Sequence, residues 1–565
     1  MRLKTPLPPL PPMEGPAWRE YGLLGLLLAA VFLACLKPMA DPDTFWHLAV
    51  GREMWQTHAL VRTETFSFTD AGAPWTDFEW LFHALAYPLW VAVGNTGASL
   101  FTAWCGVLAV IFAYRCVRLS GGQALSFSIF LLPLLLAYAD RVRFRPDAFS
   151  LVFFAFVLEV LLRWRLRSFT PGAERWLLPL VFLVWVQIHG GWAYGGLLMA
   201  AFLAGALLDA WKSGSPVAGL LRSMAVPSAL SAAALFVNPF GWNLPLLPIR
   251  HLLSFSDKGF VPIAEWGHTP FEGPYAWFIV VAAAAFAAIL LVRKRFCWTE
   301  VLPAAAQLAL GLYWVRYAAF AALALAPSAS TRLSLLPVKE AAKRILFAAA
   351  ALGAVASMAV QMSRLLQPYD LAARYPVQES AFLKTHLPGA NLFHEFRVGG
   401  YLEWVMPGSF RVFMDGRFPL FKQVAMDYYG AHRTPQAYHQ FLARYPIDAA
   451  LYAYPGFELV PPKGGPPRGP SAVLFQKDEW ALVDFGKFGM ILLKREGSNE
   501  DVIRRFEYKV LRPDDLPYLV WAARKGIIPR SELQSELERA VAHPLPPEIA
   551  ASCRAALRAL EAPPA

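Results

Sequence analysis

The sequence predicts a polytopic α-helical membrane protein with a soluble α/β domain and a helical tail at its C-terminal end. Three observations predict this. Of 565 residues, 56% are hydrophobic and only 16% are charged, against about 25% charged in soluble domains. The deficit falls in the first 361 residues, where apolar runs approach the roughly 20 residues that cross a bilayer as a helix. Past Met362 the pattern changes to short β-prone runs separated by stretches with helical spacing.

Residues 1–20 are basic and proline-rich and read as a cytoplasmic tail. No small-residue cleavage site follows the apolar run Tyr21–Pro38, so it reads as a retained span. About eleven spans are expected across 21–361, with an outer loop at 39–79. The stretch Trp80–Gly94 is apolar but short and reads as a helix lying at the membrane interface. Lysine and arginine collect in alternate short loops, from Arg19 through Arg163, Arg165 and Arg167 to Arg293–Arg295 and Arg332, which marks that side as cytoplasmic. The 39–79 loop and everything after residue 361 then face outward.

Residues 362–497 form the expected periplasmic α/β domain. "NLFHEF", "RVFMD", "AALYAY", "WALVDFG" and "GMILLKR" read as strands, and "VQESAFLKTHL" and "TPQAYHQFLARY" as helices. Pro461–Pro470 is too rich in Pro and Gly to be anything but a loop, and 498–565 is a helical tail with cap candidates at Ser498 and Ser531.

The net charge of +11 does not indicate nucleic acid, because the basic residues sit at span ends as orientation signals do. The five cysteines form no CxxC or Cys/His cluster, which excludes a zinc ribbon and a disulfide framework.

The chemistry gathers on the expected outer face. "ADPDTFWHLAVGREMW" supplies Asp41, Asp43 and His47, and "GAPWTDFEWLFHAL" supplies Asp77 and Glu79 among aromatics that also suit an interfacial belt. "ADRVRFRPD" supplies Arg141, Arg143, Arg145 and Asp147. Later turns add His189 in "QIHGGW", Asn238 in "NPFGW", Glu265 in "AEWGHTPF" and Arg316 in "YWVRY". The three arginines break the positive-inside trend. Two residues apart, they project to one side of an extended segment, and guanidiniums hold phosphate with paired bonds. They could equally pair with Asp140 and Asp147 or with lipid headgroups. Asp41 and Asp43, split by Pro42, can hold a divalent cation such as magnesium or manganese, supply a base of raised pKa, or simply cap the helix that follows. Asp415 in "VFMDGR" stands at a strand end, where an acid lines a site or caps a turn.

Together, "DPDTFWHLAVGREMW…VRTETFSFTDAGAPWTDFEWLFHAL", "RFRPDAFS", "WVQIHGGWAYG", "NPFGW", "AEWGHTPF" and "GGYLEWVMPGSFRVFMDGR" resemble a bacterial family of membrane glycosyltransferases of the broad GT-C class. That family lies near the protein-mannosyltransferase-like and lipid-A-modifying types. Gln187 stands where asparagine is expected, and Phe45 where a second tryptophan is common. The resemblance implies a polyprenyl-phosphate-linked sugar as donor and a glycan, lipid or protein acceptor, met at the outer face of a bacterial cytoplasmic membrane. It further implies Asp43 as the reactive acid or metal ligand, Asp41 as its partner, and the arginine triplet as the holder of the lipid phosphate. Two other classes remain open on the residues alone: a transporter of lipid-linked glycans, which calls for inverted halves and broken mid-membrane helices, and a non-catalytic scaffold of an envelope complex.

Overall fold

A computed structural model describes residues 16–562, except 40, 168–171, 216, 255–263, 293–296, 410, 418–419, 456, 458, 460–465 and 544. The tail before residue 16, the basic run Arg293–Arg295 and the first half of the 461–470 loop therefore lie outside the described residues. The chain folds into two compact units. A helical unit comprises residues 1–41 and 76–368, and an α/β unit comprises 42–75 and 369–565.

The first thirteen helices run in chain order as α1 (Ala17–Cys35), α2 (Pro42–Thr57), α3 (Trp80–Leu119), α4 (Ala124–Asp140), α5 (Asp147–Leu166), α6 (Leu177–Ile188), α7 (Trp192–Ser213), α8 (Val217–Ala234), α9 (Asn243–Ser254), α10 (Gly273–Leu291), α11 (Trp298–Tyr313), α12 (Ala318–Leu333) and α13 (Glu340–Leu365). All but α2 belong to the helical unit. Among the described residues, α1, α3, α7, α8, α10 and α13 are long and apolar enough to cross a membrane unaided, and α4 is a shorter apolar helix. The protein is thus a multi-pass membrane protein.

Helix α12 explains how the bundle closes. Its run "AAFAALALAPSAS" is apolar on every face, and Ala318–Pro327 are all buried, as expected of a helix surrounded by others. Small side chains let the neighbouring backbones approach. Phe154 of α5 meets Phe320 edge-on at 5.2 Å. Tyr138 of α4 donates to the Gly106 carbonyl of α3 at 2.7 Å, which satisfies a hydroxyl buried in the core. By contrast, Ile345 and Leu352 of α13 are 70% and 69% exposed, as a lipid-facing surface requires.

Helix α3 is two helical segments joined at Gly94, so the short apolar helix expected at Trp80–Gly94 is present as the first of them. Gly94 has φ 63°, a left-handed conformation that breaks the helix and redirects it.

In the α/β unit, all five β-prone runs become strands: β1 (Asn391–His394), β2 (Arg411–Val412), β3 (Ala449–Ala453), β4 (Trp480–Phe485) and β5 (Gly489–Lys494). They form one sheet in the order β2-β1-β3-β5-β4. β1 is parallel to β2 and β3, while β5 pairs antiparallel with β3 and β4. Nine helices accompany the sheet: α14 (Val377–His386), α15 (Gly399–Val405), α16 (Lys422–Ala431), α17 (Pro435–Arg444), α18 (Pro470–Leu474), α19 (Glu500–Phe506), α20 (Leu516–Arg524), α21 (Arg530–Ala542) and α22 (Pro547–Glu561). Ser531 does not cap α21. Pro529 holds the N-cap position, and Ser531 falls in the first turn.

Residues 42–75, an outer loop by sequence, belong to this unit for two reasons. Phe68 N donates to Val412 O and Val412 N to Phe66 O, each at 3.1 Å, so the loop extends the sheet beside β2. Helix α2 packs on α15 through glycine: a Cβ on Gly400 would come within 2.9 Å of the Trp46 backbone nitrogen. Arg52 then donates to the Glu403 and Trp404 carbonyls at 2.7 Å each, capping the C-terminal end of α15.

Candidate functional site

Helices α4 and α5 are joined by only Arg141–Pro146, so the connection must turn tightly. Arg145 N donates to Arg143 O at 2.7 Å, and Ala148 N to Arg145 O at 3.1 Å. The segment is therefore not the extended one that the alternate spacing predicted. The turn itself brings the three guanidiniums together.

Each finds carboxylates within the helical unit. Arg143 donates to Asp41 Oδ2 at 2.8 Å and to the Asp140 carbonyl at 2.8 Å. Arg145 reaches Glu265 Oε1 at 2.9 Å, Asp41 Oδ2 at 3.6 Å and Asp147 Oδ2 at 3.8 Å. Arg141 forks onto Glu265, with Nη1 3.1 Å from Oε1 and Nη2 3.3 Å from Oε2. Arg316 adds a fourth guanidinium, 3.7 Å from Asp147 and stacked over Trp266 at 4.2 Å. The cluster rests on short irregular segments at helix ends, where side chains from several helices can meet.

Burial resists ionisation of Glu265, but Arg145, Arg141 and Arg316 outweigh it and hold this carboxyl well below the usual carboxylate range. His189, just past the end of α6, shares the neighbourhood. Its Nδ1 is 2.7 Å from Ser150 Oγ, and its Nε2 is 3.7 Å from Glu79 and 3.9 Å from Asp147. Burial, opposed by Asp147 and reinforced by Arg316, Arg145 and Arg141, pushes its pKa down to about 4. The imidazole is therefore neutral near pH 7.

Asp77 accepts Glu79 N at 3.0 Å and lies 2.8 Å from His83 Nδ1. The carboxylate thereby orients the ring, as outer-sphere carboxylates orient metal-binding histidines. A Glu79 oxygen and a His83 nitrogen come within 4.8 Å of each other. Asp41 does not fit a cation: two guanidiniums already lie within 3.6 Å of its carboxylate.

The remaining sequence candidates fall elsewhere. Asn238 serves its own turn, donating to Leu235 and Gly241 carbonyls at 2.9 and 3.0 Å and accepting Phe240 N at 2.8 Å. Asp43 and His47 lie on α2 in the α/β unit, where Asp43 occupies the first turn and His47 is buried against the Trp46 ring at 3.8 Å. Asp43 Oδ1 lies beside Gly416, 2.2 Å from where a Cβ would stand. Asp415 is fully buried and caps its own turn through Arg417 N at 2.7 Å, so it lines no accessible site.

Sequence reasoning missed His83, Ser150 and Lys37. Lys37 Nζ caps α4 by donating to Ala139 O at 2.7 Å. A lysine at the end of the first span that the charge rule expects to lack basic residues is one more exception of the kind that exposed the arginines. His83 and Ser150 sit inside apolar helices and left no such signal.

No protein-family model and no curated protein sequence matches the chain. Solved structures do. The archaeal oligosaccharyltransferase AglB from Archaeoglobus fulgidus, in complex with an inhibitory peptide and a dolichol-phosphate, aligns with a TM-score of 0.51 at 12% identity, covering 78% of this chain and 70% of that one. ArnT from Cupriavidus metallidurans in the apo state aligns with a TM-score of 0.50 at 13% identity, covering 84% of this chain and 97% of that one. At such identities the likeness is one of fold, and the fold of this chain is similar to those of AglB and ArnT.

Proposed function

We propose that the protein is a membrane glycosyltransferase that moves a sugar from a polyprenyl-phosphate donor to an acceptor at the outer face of a bacterial cytoplasmic membrane. The observation that carries this reading is the gathering of Arg141, Arg143, Arg145 and Arg316 around a few carboxylates at helix ends. Polar groups of that cost at span ends face a cavity or a ligand, and four guanidiniums suit a phosphate. The dolichol-phosphate in the AglB complex supports a lipid phosphate as the class of ligand.

In this reading the bond from sugar C1 to the phosphate oxygen breaks with oxocarbenium character, and the arginines offset the charge left on the phosphate. The acceptor hydroxyl attacks C1 as a base removes its proton, and the resemblance nominates Asp43 for that role. Asp41 holds Arg143 and Arg145 in place. Polyprenyl burial between spans contributes binding energy that positions the head. The acceptor is a glycan, lipid or protein hydroxyl. The test offers a radiolabelled polyprenyl-phosphate sugar to the purified protein. Asp43→Asn should abolish transfer without lowering membrane expression, and unchanged transfer would overturn the proposal.

A further inference from the structure

We infer that the Glu265 carboxylate occupies the subsite of a phosphate monoester, and that the polyprenyl phosphate left when the sugar departs is held there after displacing it. The inference rests on the reading above and assigns a residue to one place within it. The observation is geometric. Arg141 grips both Glu265 oxygens as a fork, at 3.1 and 3.3 Å, while Arg145 approaches at 2.9 Å and Arg143 at 3.9 Å. Three guanidiniums around one small oxyanion is how proteins hold phosphate, with charge-assisted bonds in paired geometry. Here the oxyanion is the protein's own.

Two further facts separate Glu265 from the other acids. First, Arg145 touches three carboxylates, and their side chains differ in exposure: Glu265 is 24% exposed, Asp41 7% and Asp147 6%. The acid that can leave towards solvent is Glu265. Second, donors outnumber acceptors. Arg141 Nε is buried with no hydrogen-bond partner among the described residues, and a buried unpaired donor is costly. A carboxylate has two oxygens and a phosphate monoester has three non-bridging ones, so the third can meet a donor that Glu265 leaves unused.

The backbone permits the exchange. The chain after Glu265 is pinned: Val315 N donates to Gly267 O at 3.1 Å, and Thr269 Oγ1 to Gly311 O at 2.6 Å. Trp266 stays under Arg316. The glutamate side chain can therefore swing out on its own torsions while its neighbours remain. Until then it keeps the guanidiniums close together against their mutual repulsion. As a tethered competitor it acts at a high effective concentration, so a headgroup must carry more charge or more oxygens than a carboxylate to enter.

The experiment measures binding of a short-chain polyprenyl phosphate in micelles, and separately of inorganic phosphate, to the full-length protein. Glu265→Gln keeps the shape and removes the charge. It should bind the lipid phosphate about tenfold tighter than the parent, the size expected for removing a charge-assisted competitor. Glu265→Asp, too short to meet all three arginines, should gain less, and it serves alone should Glu265→Gln not fold. A gain with both probes assigns the subsite to phosphate as such, while a gain with the lipid alone assigns it to the headgroup. Equal or weaker binding by the Glu265 variants overturns the inference. Arg143→Gln separates the two layers. If it loses lipid-phosphate binding while Glu265→Gln gains none, only the role of Glu265 fails. If it binds as the parent does, the donor-site reading fails as well.

Discussion

Two groups of arginines and carboxylates in this molecule use the same chemistry towards different ends. In the α/β unit, Arg417 sits at 1% exposure, paired with Asp415, 2.7 Å from Glu64 Oε2 and 3.7 Å from Glu403, among the rings of Phe66, Trp75 and Phe421. In the helical unit, Arg143 is 31% exposed. The first group is sealed throughout, whereas the second, though sealed at Arg141, opens at Arg143 and Glu265. Sealing also shows in the protons. One guanidinium faces three buried carboxylates, so they cannot all be charged. Burial, with Asp415 beside it, pushes Glu403 well above the usual carboxylate range, while Arg417 outweighs burial at Asp415 and holds it below. A sealed cluster fixes a fold, whereas an open one can exchange a partner for a ligand.

The sharpest way to break this contrast is Arg417→Met. It leaves buried carboxylates without a counter-charge, a loss of about 3–5 kcal/mol, and the full-length protein should fail to accumulate or should unfold far earlier on heating. Glu403→Gln, which replaces a protonated acid by a neutral amide, should unfold close to the parent. If Arg417→Met is as stable as the parent, the sealed cluster holds nothing together.

The open cluster should behave in the opposite way. Arg143→Gln should lower sugar transfer by about 10²–10³-fold, as loss of one charge-stabilising donor does, while the unfolding temperature moves by only about 2 °C. Stability loss in step with activity loss would make this cluster structural too.

Much of this layout was legible. The five strands followed from short β-prone runs whose side chains pack locally. The arginine trio stood out because it breaks a charge rule, and its convergence depends on a loop too short to do anything but turn. What stayed hidden was non-local. Nothing in "TETFSFT" announces that Phe66–Phe68 pairs with Val412, more than 340 residues away, so the allegiance of α2 to the α/β unit could not be read. Asp41 and Asp43 looked like one pair, yet they fall in different units. The acid of "VFMDGR" looked equally suited to a site or a turn, and only its burial decides.

Acid sharpens the same comparison at a milder level. His394 is fully buried. Its Nε2 accepts Phe413 N at 3.0 Å, and its Nδ1 lies 2.9 Å from the Glu395 carbonyl. Burial lowers its pKa from 6.5 to about 4, so the fold favours the neutral ring. The stability it contributes is whole above pH 6.5 and is lost as pH falls through about 4, about 3 kcal/mol in all. Thermal unfolding between pH 7 and pH 4 should show this loss, and His394→Gln should flatten it. An unchanged slope in the variant would move the acid sensitivity to the carboxylates.

A last substitution tests Asp43 without replacing it. A methyl group on Gly416 would lie 2.2 Å from Asp43 Oδ1 and 2.6 Å from Trp46 Nε1. Both atoms are at the outer ends of side chains, so Gly416→Ala displaces them rather than the backbone, at an overpacking cost of about 1–3 kcal/mol. Gly399→Ala is the control for general damage, because its methyl would meet the Met414 carbonyl oxygen at 2.0 Å, and backbone must then move. If Asp43 is the base, Gly416→Ala should fold and lose transfer, whereas Gly399→Ala should lose both. Transfer that survives Gly416→Ala in a folded protein would mean that the position of Asp43 is not critical, and the search for the base would return to the helical unit.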